Sequence, residues 1–458
     1  MALQRYSTRD EFGNLLPTEQ VQPLWPAPTV DRPLAASMTL PGSKSLTNRE
    51  LVLSAIADGP STLRRPLHSR DTQLMVHALR ALGTDIVEVP NSGEFGPDLL
   101  VTPGELTGGR PIDCGLAGTL MRFLPPLAAL ALGPVEFDGD PGARRRPMRT
   151  MIAALRALGV DVSDDGRGAL PFGLWGTGAV AGGELEIDAS SSSQFVSGLL
   201  LSAARFDRGL TLRHSGERLP SLPHIAMTIA CLAARGVDVD SPEPGTWIVR
   251  PGRIAAIDVN IEPDLSNAAP FLLAAIVAGG TVAIEDWPET TTQVGAELAT
   301  LLPLFGATVR HENGALVVDG GIGIRGGARI PGIDIDLSAA GELAPAIIAI
   351  TALADSPSRI SGIGHLRGHE TDRLAALTAE ITALGGDVTE TDDGLIVDPR
   401  ALHGGVWRSY EDHRMATAGA ILGLAVPGIE IDDIGTTAKT LPQFPELWSG
   451  MTRAIEAR

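Results

Sequence analysis

Apolar positions along the chain alternate between two registers. Ala- and Leu-rich runs of helical length are followed by short runs of Val, Ile and Thr that suit strands. One helix-then-strand unit reads Ala78-Leu79-Arg80-Ala81-Leu82-Gly83-Thr84-Asp85-Ile86 and returns as Ala154-Leu155-Arg156-Ala157-Leu158-Gly159-Val160-Asp161-Val162. It recurs around Gly236, Gly306 and Gly385, a period of roughly 75 residues. Glycine at each helix end supplies the left-handed stop. A hairpin follows, with second strands such as Leu99-Leu100-Val101, Trp247-Ile248-Val249, Leu316-Val317-Val318 and Leu395-Ile396-Val397. A second unit, an Ala/Leu-rich helix followed by a strand, recurs with strands near Thr62, Val135, Leu210, Val282, Arg359 and Ile429. The pattern predicts six strand–helix–strand–helix–strand–strand units and an α/β (α+β) fold of mixed sheets packed on helices.

A chain of 458 residues exceeds one hydrophobic core. Two halves of three units each are expected, with a boundary near Asp258 to Asp264 and a ligand site between them. Aromatics are only 4%, so the core is aliphatic. The net charge of −19 excludes a general binder of nucleic acid or anionic membrane. Anions must be handled by local basic clusters. Cys114 and Cys231 make neither a disulfide framework nor a metal site. Residues 1–33 are Pro-rich, lack the apolar run of a signal peptide, and are expected to be a disordered or surface-draped tail. No stretch reads as a membrane span.

The chemistry sits in short polar clusters at helix starts. Pro41-Gly42-Ser43-Lys44-Ser45-Leu46-Thr47-Asn48-Arg49 brings hydroxyls, a lysine and an arginine to a helix N-terminus, where anions are favoured. The pattern places the helix from about Glu50, with Ser45 or Thr47 as its cap. Alone, Lys44 would read as a solvated charge, but the same kind of cluster recurs. Leu116-Ala117-Gly118-Thr119 with Arg122 lets backbone N–H groups approach an anion. Arg144-Arg145-Arg146-Pro147 is a cationic run that Pro147 would set at a helix start. Ser190 to Ser193 and Gln194 supply more hydroxyls than a cap needs. Arg367-Gly368-His369-Glu370-Thr371-Asp372-Arg373, Asp412-His413-Arg414-Met415 and Thr436 to Thr440, with Lys439, complete the set. Together these predict one strongly anion-binding pocket fed by both halves. Because its cations are divided between them, an open cleft is expected until ligands neutralise the charge.

These motifs resemble those of the 5-enolpyruvylshikimate-3-phosphate synthase (3-phosphoshikimate 1-carboxyvinyltransferase) family, from about Pro33 to Met451. The resemblance implies two globular domains, each three βαβαββ repeats forming an inside-out α/β barrel, with the active site in the interdomain cleft. Residues 42–261 would form domain one, and 34–41 with 262–458 domain two. It implies transfer of the enolpyruvyl group of phosphoenolpyruvate to the 5-hydroxyl of shikimate 3-phosphate in the shikimate pathway, with no metal or organic cofactor. Phosphoenolpyruvate would meet Lys44, Gly118, Arg146, Gln194, Arg373, Arg414 and Lys439. Shikimate 3-phosphate would meet Lys44, Ser45, Arg49, Ser192, Ser193, Gln194, Ser221, Glu342 and His369. Lys44, Glu342 and Glu370 would be catalytic, with Glu342 as base at the 5-hydroxyl and Glu370 handling the methylene proton. A cytoplasmic monomer, with glyphosate as an inhibitor, is also implied.

Some positions depart from the commonest pattern of that family. Glu342 stands where many members have Asp, His369 where many have Lys, and His224 and His365 where Tyr and Asn are usual. Phe123 follows Arg122 where many have Pro. His369 would make one substrate contact pH-sensitive. The alternative is the sister transferase acting on UDP-N-acetylglucosamine, which uses a mobile-loop cysteine. Cys114 lies close to where that loop would be. Ser192-Ser193-Gln194 and Asp412-His413-Arg414 favour the shikimate phosphate reading.

Overall fold

The computed structural model describes residues 23–453. The expectation of a disordered tail over residues 1–22 lies outside the described residues. Two hydrophobic cores form. One gathers residues from 51 to 254, the other residues from 27 to 40 and from 265 to 451. Among the described residues there are six sheets, one for each repeat. A representative one runs Gly183–Ile187 parallel to Leu210–His214, which pairs antiparallel with Thr246–Val249, itself antiparallel to Val239–Asp240. This is the mixed α/β architecture expected from the repeats.

The first unit of each half takes its parallel strand from a distant part of the chain. Val259–Asn260 pairs with Ser61–Arg64, and Leu34–Met38 pairs with Gly280–Ile284. The chain therefore crosses between halves twice, and the two crossings run side by side. Ser43 N donates to Glu262 O at 2.8 Å and Asp264 N to Pro41 O at 2.9 Å. Gly42 faces Pro263 there, and a Cβ at Gly42 would stand 2.2 Å from the Arg65 carbonyl oxygen, so only glycine fits.

The sixth unit lacks a following hairpin. Trp25–Pro26 fills that place, pairing antiparallel with Ile429–Ile431, which is parallel to Gly405–Trp407. The expectation of a disordered or draped tail is thus corrected for residues 23–33. Ala27 and Val30 are buried in the second core because that sheet would otherwise expose an unpaired edge.

Each half has three inner helices. In the first these are Lys44–Ala55, Gly118–Ala128 and Gln194–Ala203; in the second, Leu265–Ala278, Ala344–Thr351 and His413–Ala425. Every residue of Leu265–Ala278, Gly118–Ala128 and Ala344–Thr351 is buried, which is why these runs are mostly apolar and their few polar residues lie near the ends or, like Arg122, by the site. Small residues let them pack closely: a Cβ at Gly198 would meet the Arg122 carbonyl oxygen at 2.1 Å. Outer helices such as Arg70–Ala81 are amphipathic, burying Met75, Ala78 and Leu79. No described helix is long and apolar enough to cross a membrane.

Candidate active site

The inner helices aim their N-termini at one cavity between the halves. It is lined by Ser43, Lys44 and Ser45, by Gly118 and Thr119, and by Gln194 from the first half. Asp264 and Ser266, Glu342 in the turn Gly341–Leu343 that leads into Ala344–Thr351, and His413 and Arg414 line it from the second. All six inner helices thus present their first turns, and six sets of N–H dipoles make an anion-attracting centre. Spaces of about 270 and 440 Å³ adjoin it past Arg146 and His369.

The helix at Lys44 starts six residues earlier than the pattern placed it, because Ser43 caps it, accepting from Leu46 N at 3.4 Å. Ser45 and Thr47 are therefore inside the helix rather than its cap. Lys44 N donates to Asp264 Oδ2 at 3.1 Å across the hinge, and its ammonium stands 3.7 Å from Asp71. Pro147 does not begin a helix; the next one is Arg149–Ala157. Arg146 nevertheless reaches back to donate to Leu116 O at 3.3 Å. A Cβ on Gly118 would lie 3.0 Å from the Arg146 guanidinium and 3.1 Å from Gln194 Oε1. Ser193 occupies the cap position of Gln194–Ala203 but accepts nothing there; Ser192 Oγ accepts from Gln194 N at 3.3 Å.

Four of the candidates, Arg49, Ser193, Ser221 and the buried Lys439, are set back from the cavity wall. Arg49 is 1% exposed and donates to Thr228 Oγ1 and to the carbonyls of Ser45 and His224 at 2.8–2.9 Å. Phe123 stacks on it at 5.1 Å, and burial pulls its pKa down to about 10. Ser193 is buried. Ser221, in a left-handed conformation at φ 53°, bridges the halves through its N–H to Ser338 O at 3.2 Å. Arg122 lines the adjoining space and lies over Phe195.

The halves meet in this structure, which corrects the expected open cleft. Lys439 Nζ donates to Leu116 O at 3.1 Å and to Glu370. His224 Nε2 lies 3.1 Å from Glu342 Oε1. The physical reason is that most of the cations have carboxylate partners invisible to a local reading. Arg373 binds Asp412 at 2.7 Å and Glu370 at 3.1 Å, and Arg414 stands 3.6 Å from Glu342.

Both candidate catalytic carboxylates are ionised. Burial alone would raise Glu342, but His224, Arg414 and Lys44 outweigh it and hold it well below the ordinary value. Glu342 Oε2 also accepts from Ser266 Oγ at 3.0 Å. Burial likewise opposes ionisation of Glu370, and Lys439, Arg373 and Arg146 overcome it. Lys439 is lowered by burial, with Glu370 opposing. His369 is neutral here, its pKa driven well down by burial and by Arg373, so without substrate it lacks the charge that a lysine would bring to this place. His413 is lowered by burial, Arg414 and Lys44, and His365 to about 4 by burial and Arg373. Cys114 is fully buried, and burial and Asp113 raise its thiol, leaving no thiolate nucleophile.

The three neutral histidines make stability pH-dependent. Each has a folded pKa below its unfolded value of about 6.5, so the unfolded chain binds more protons. Stability is full above that value and is lost as pH falls, by about 1.4 kcal/mol per pH unit for each histidine. Urea unfolding should show the free energy dropping between about pH 6.5 and 5. A constant value across that window would contradict the neutral assignments.

Asp71, Asp264 and Ser266 are residues in or beside the site that no motif singled out. Asp264 caps Leu265–Ala278 as Ser43 caps the first inner helix, so aligning the repeats would have found it. Asp71, 1% exposed and partnered at distance by Lys44, had no such signal.

Comparison with known proteins agrees with this geometry. The family model for EPSP synthase (3-phosphoshikimate 1-carboxyvinyltransferase) matches residues 28–448. A 3-phosphoshikimate 1-carboxyvinyltransferase of Kocuria rhizophila is 57% identical over 432 residues, covering 93% of this chain and 96% of that protein. An EPSP synthase structure from Acinetobacter baumannii, at 24% identity, superposes with a TM-score of 0.74 over 93% of this chain and 97% of that one. The enolpyruvyl transferase NikO from Streptomyces tendae, 17% identical, gives 0.72 over 93% and 97%. These two structures share the fold. On the family match and the Kocuria relative, with the six helix starts gathered around one cationic cavity, the chain belongs to the EPSP synthase (3-phosphoshikimate 1-carboxyvinyltransferase) family.

Proposed function

We propose that the chain transfers the enolpyruvyl group of phosphoenolpyruvate to the 5-hydroxyl of shikimate 3-phosphate and releases phosphate. The observation that carries this is the convergence of six helix N-termini with Lys44, Arg146, Arg373 and Arg414 on one cavity that also holds two ionised carboxylates, Glu342 and Glu370. Each substrate brings a phosphate and a carboxylate, and these charges must be neutralised before the two can meet. Glu342 takes the 5-hydroxyl proton as that oxygen adds to the phosphate-bearing enol carbon of phosphoenolpyruvate. The methylene carbon gains a proton drawn from the Lys439–Glu370 pair, giving a tetrahedral adduct. Ionised Glu370 then removes a methyl proton as the carbon–phosphate oxygen bond breaks, restoring the double bond. Bodies comprising 42–261 and 34–41 with 262–458 would hinge at the paired crossings, excluding water on closure.

Gly118, Arg146, Gln194, Arg373, Arg414 and Lys439 serve phosphoenolpyruvate in this reading, and glyphosate would compete there. Ser45, Ser192 and His369 serve shikimate 3-phosphate, with Arg49, Ser193 and Ser221 acting from just behind the wall. The test is phosphate release from phosphoenolpyruvate with either shikimate 3-phosphate or UDP-N-acetylglucosamine as acceptor. Release with the first alone is expected. Release with the sugar nucleotide alone would overturn the proposal.

A further inference from the structure

We infer that His224 is a positioning residue for the base Glu342, holding that carboxylate across the closed cleft through a hydrogen bond from its Nε2. The inference rests on the reading of Glu342 as the base. Its ground is geometric. His224 Nε2 lies 3.1 Å from Glu342 Oε1, and the two belong to opposite halves. The other carboxylate oxygen accepts from Ser266 Oγ at 3.0 Å and faces Arg414 at 3.6 Å. The carboxylate is thus gripped at both oxygens, and one grip exists only when the halves are together.

His224 is itself anchored. It lies in the first turn of Leu222–Ala234, and its carbonyl accepts from Arg49 Nη2 at 2.9 Å and Thr228 Oγ1 at 3.0 Å. Those donors are buried, so the ring root is fixed by a charged hydrogen bond inside the first core. Beside an ionised carboxylate, Nε2 must carry a proton, as a neutral donor or as imidazolium. Either form donates to Oε1 and so fixes the orientation of the carboxylate.

The charged and titratable groups around this pair are Glu342 itself, Arg414, Lys44, Arg49 at the carbonyl, and His365. His365 is held near 4 by burial and Arg373, so it stays neutral near neutral pH.

The test is kcat and KM for phosphoenolpyruvate, with shikimate 3-phosphate saturating, at one fixed pH. Three forms of the full chain are compared: wild type, His224→Gln and His224→Phe. Glutamine places a neutral donor near Nε2, and phenylalanine keeps the ring shape with no donor. His224→Phe should lose about 10-fold in kcat with KM for phosphoenolpyruvate little changed, and His224→Gln should keep most of the wild-type turnover. Recovery of turnover in His224→Gln relative to His224→Phe would show that the donor matters rather than the packing. A His224→Phe form with wild-type kcat, or a His224→Gln form no better than His224→Phe, would overturn the inference. Glu342→Gln is assayed in parallel: if it keeps turnover, the base reading has failed instead.

Discussion

Glu342→Gln should lower turnover by about 10²–10⁴-fold, the usual contribution of a general base, while shikimate 3-phosphate still binds. The side chain keeps its size, so Ser266 and His224 retain a neighbour of the same shape. What is lost is the anion that Lys44, Arg414 and His224 hold ionised against the cost of burial. Binding of shikimate 3-phosphate draws on other groups as well, so calorimetry should find it with a changed but measurable affinity. Steady-state phosphate release gives kcat. A variant with near-normal turnover would remove Glu342 from its assigned step.

Arg373→Met should destabilise the protein by about 3–5 kcal/mol, the cost of stranding a buried ionic partner. Arg373 is 2% exposed and stands between Asp412 and Glu370, at 2.7 and 3.1 Å. Asp412 is fully buried and also caps His413–Ala425, accepting from Arg414 N at 2.8 Å. Its charge would remain with only the helix end to answer it. Adding Asp412→Asn to Arg373→Met should recover part of the loss, since the cap survives as an amide while the stranded charge disappears. Denaturant unfolding of the three forms measures this. An Arg373→Met protein within about 0.5 kcal/mol of wild type, as for an ordinary surface change, would show that the cluster is not the buried network described.

Much of the architecture was legible because it is periodic. Glycine stops such as Gly83 and Gly159, and strands such as Leu395–Asp398, repeat a local pattern that depends on burial and chain geometry alone. The motifs at Lys44, Gly118, Arg373 and Arg414 were legible for a related reason: polar clusters at the start of apolar helices are locally conspicuous. What the sequence concealed is non-local. Phe172–Thr177 carries no clear strand signal because Gly173 and Gly176 dilute its apolar alternation. Trp25–Pro26 completes a sheet some 400 residues later in the chain, and nothing in a two-residue strand announces its partner. The counter-ions were hidden in the same way. Asp264 meets Lys44 N from 220 residues away, and Glu370 meets Lys439 from 69, so the cations read as unneutralised and the cleft as open. The neutral state of His369 likewise depends on burial and on Arg373, four residues on, which must first be folded against it.

The most direct test of the account is the identity of the product. The purified full chain would be incubated with phosphoenolpyruvate carbon-13 labelled at the enol carbon and with shikimate 3-phosphate, and followed by carbon-13 and phosphorus-31 magnetic resonance. The account predicts that the labelled enol ether carbon becomes bonded to the 5-oxygen of shikimate 3-phosphate while inorganic phosphate appears in equal amount. Phosphate released without that new ether, or an ether formed at a different hydroxyl, would contradict it.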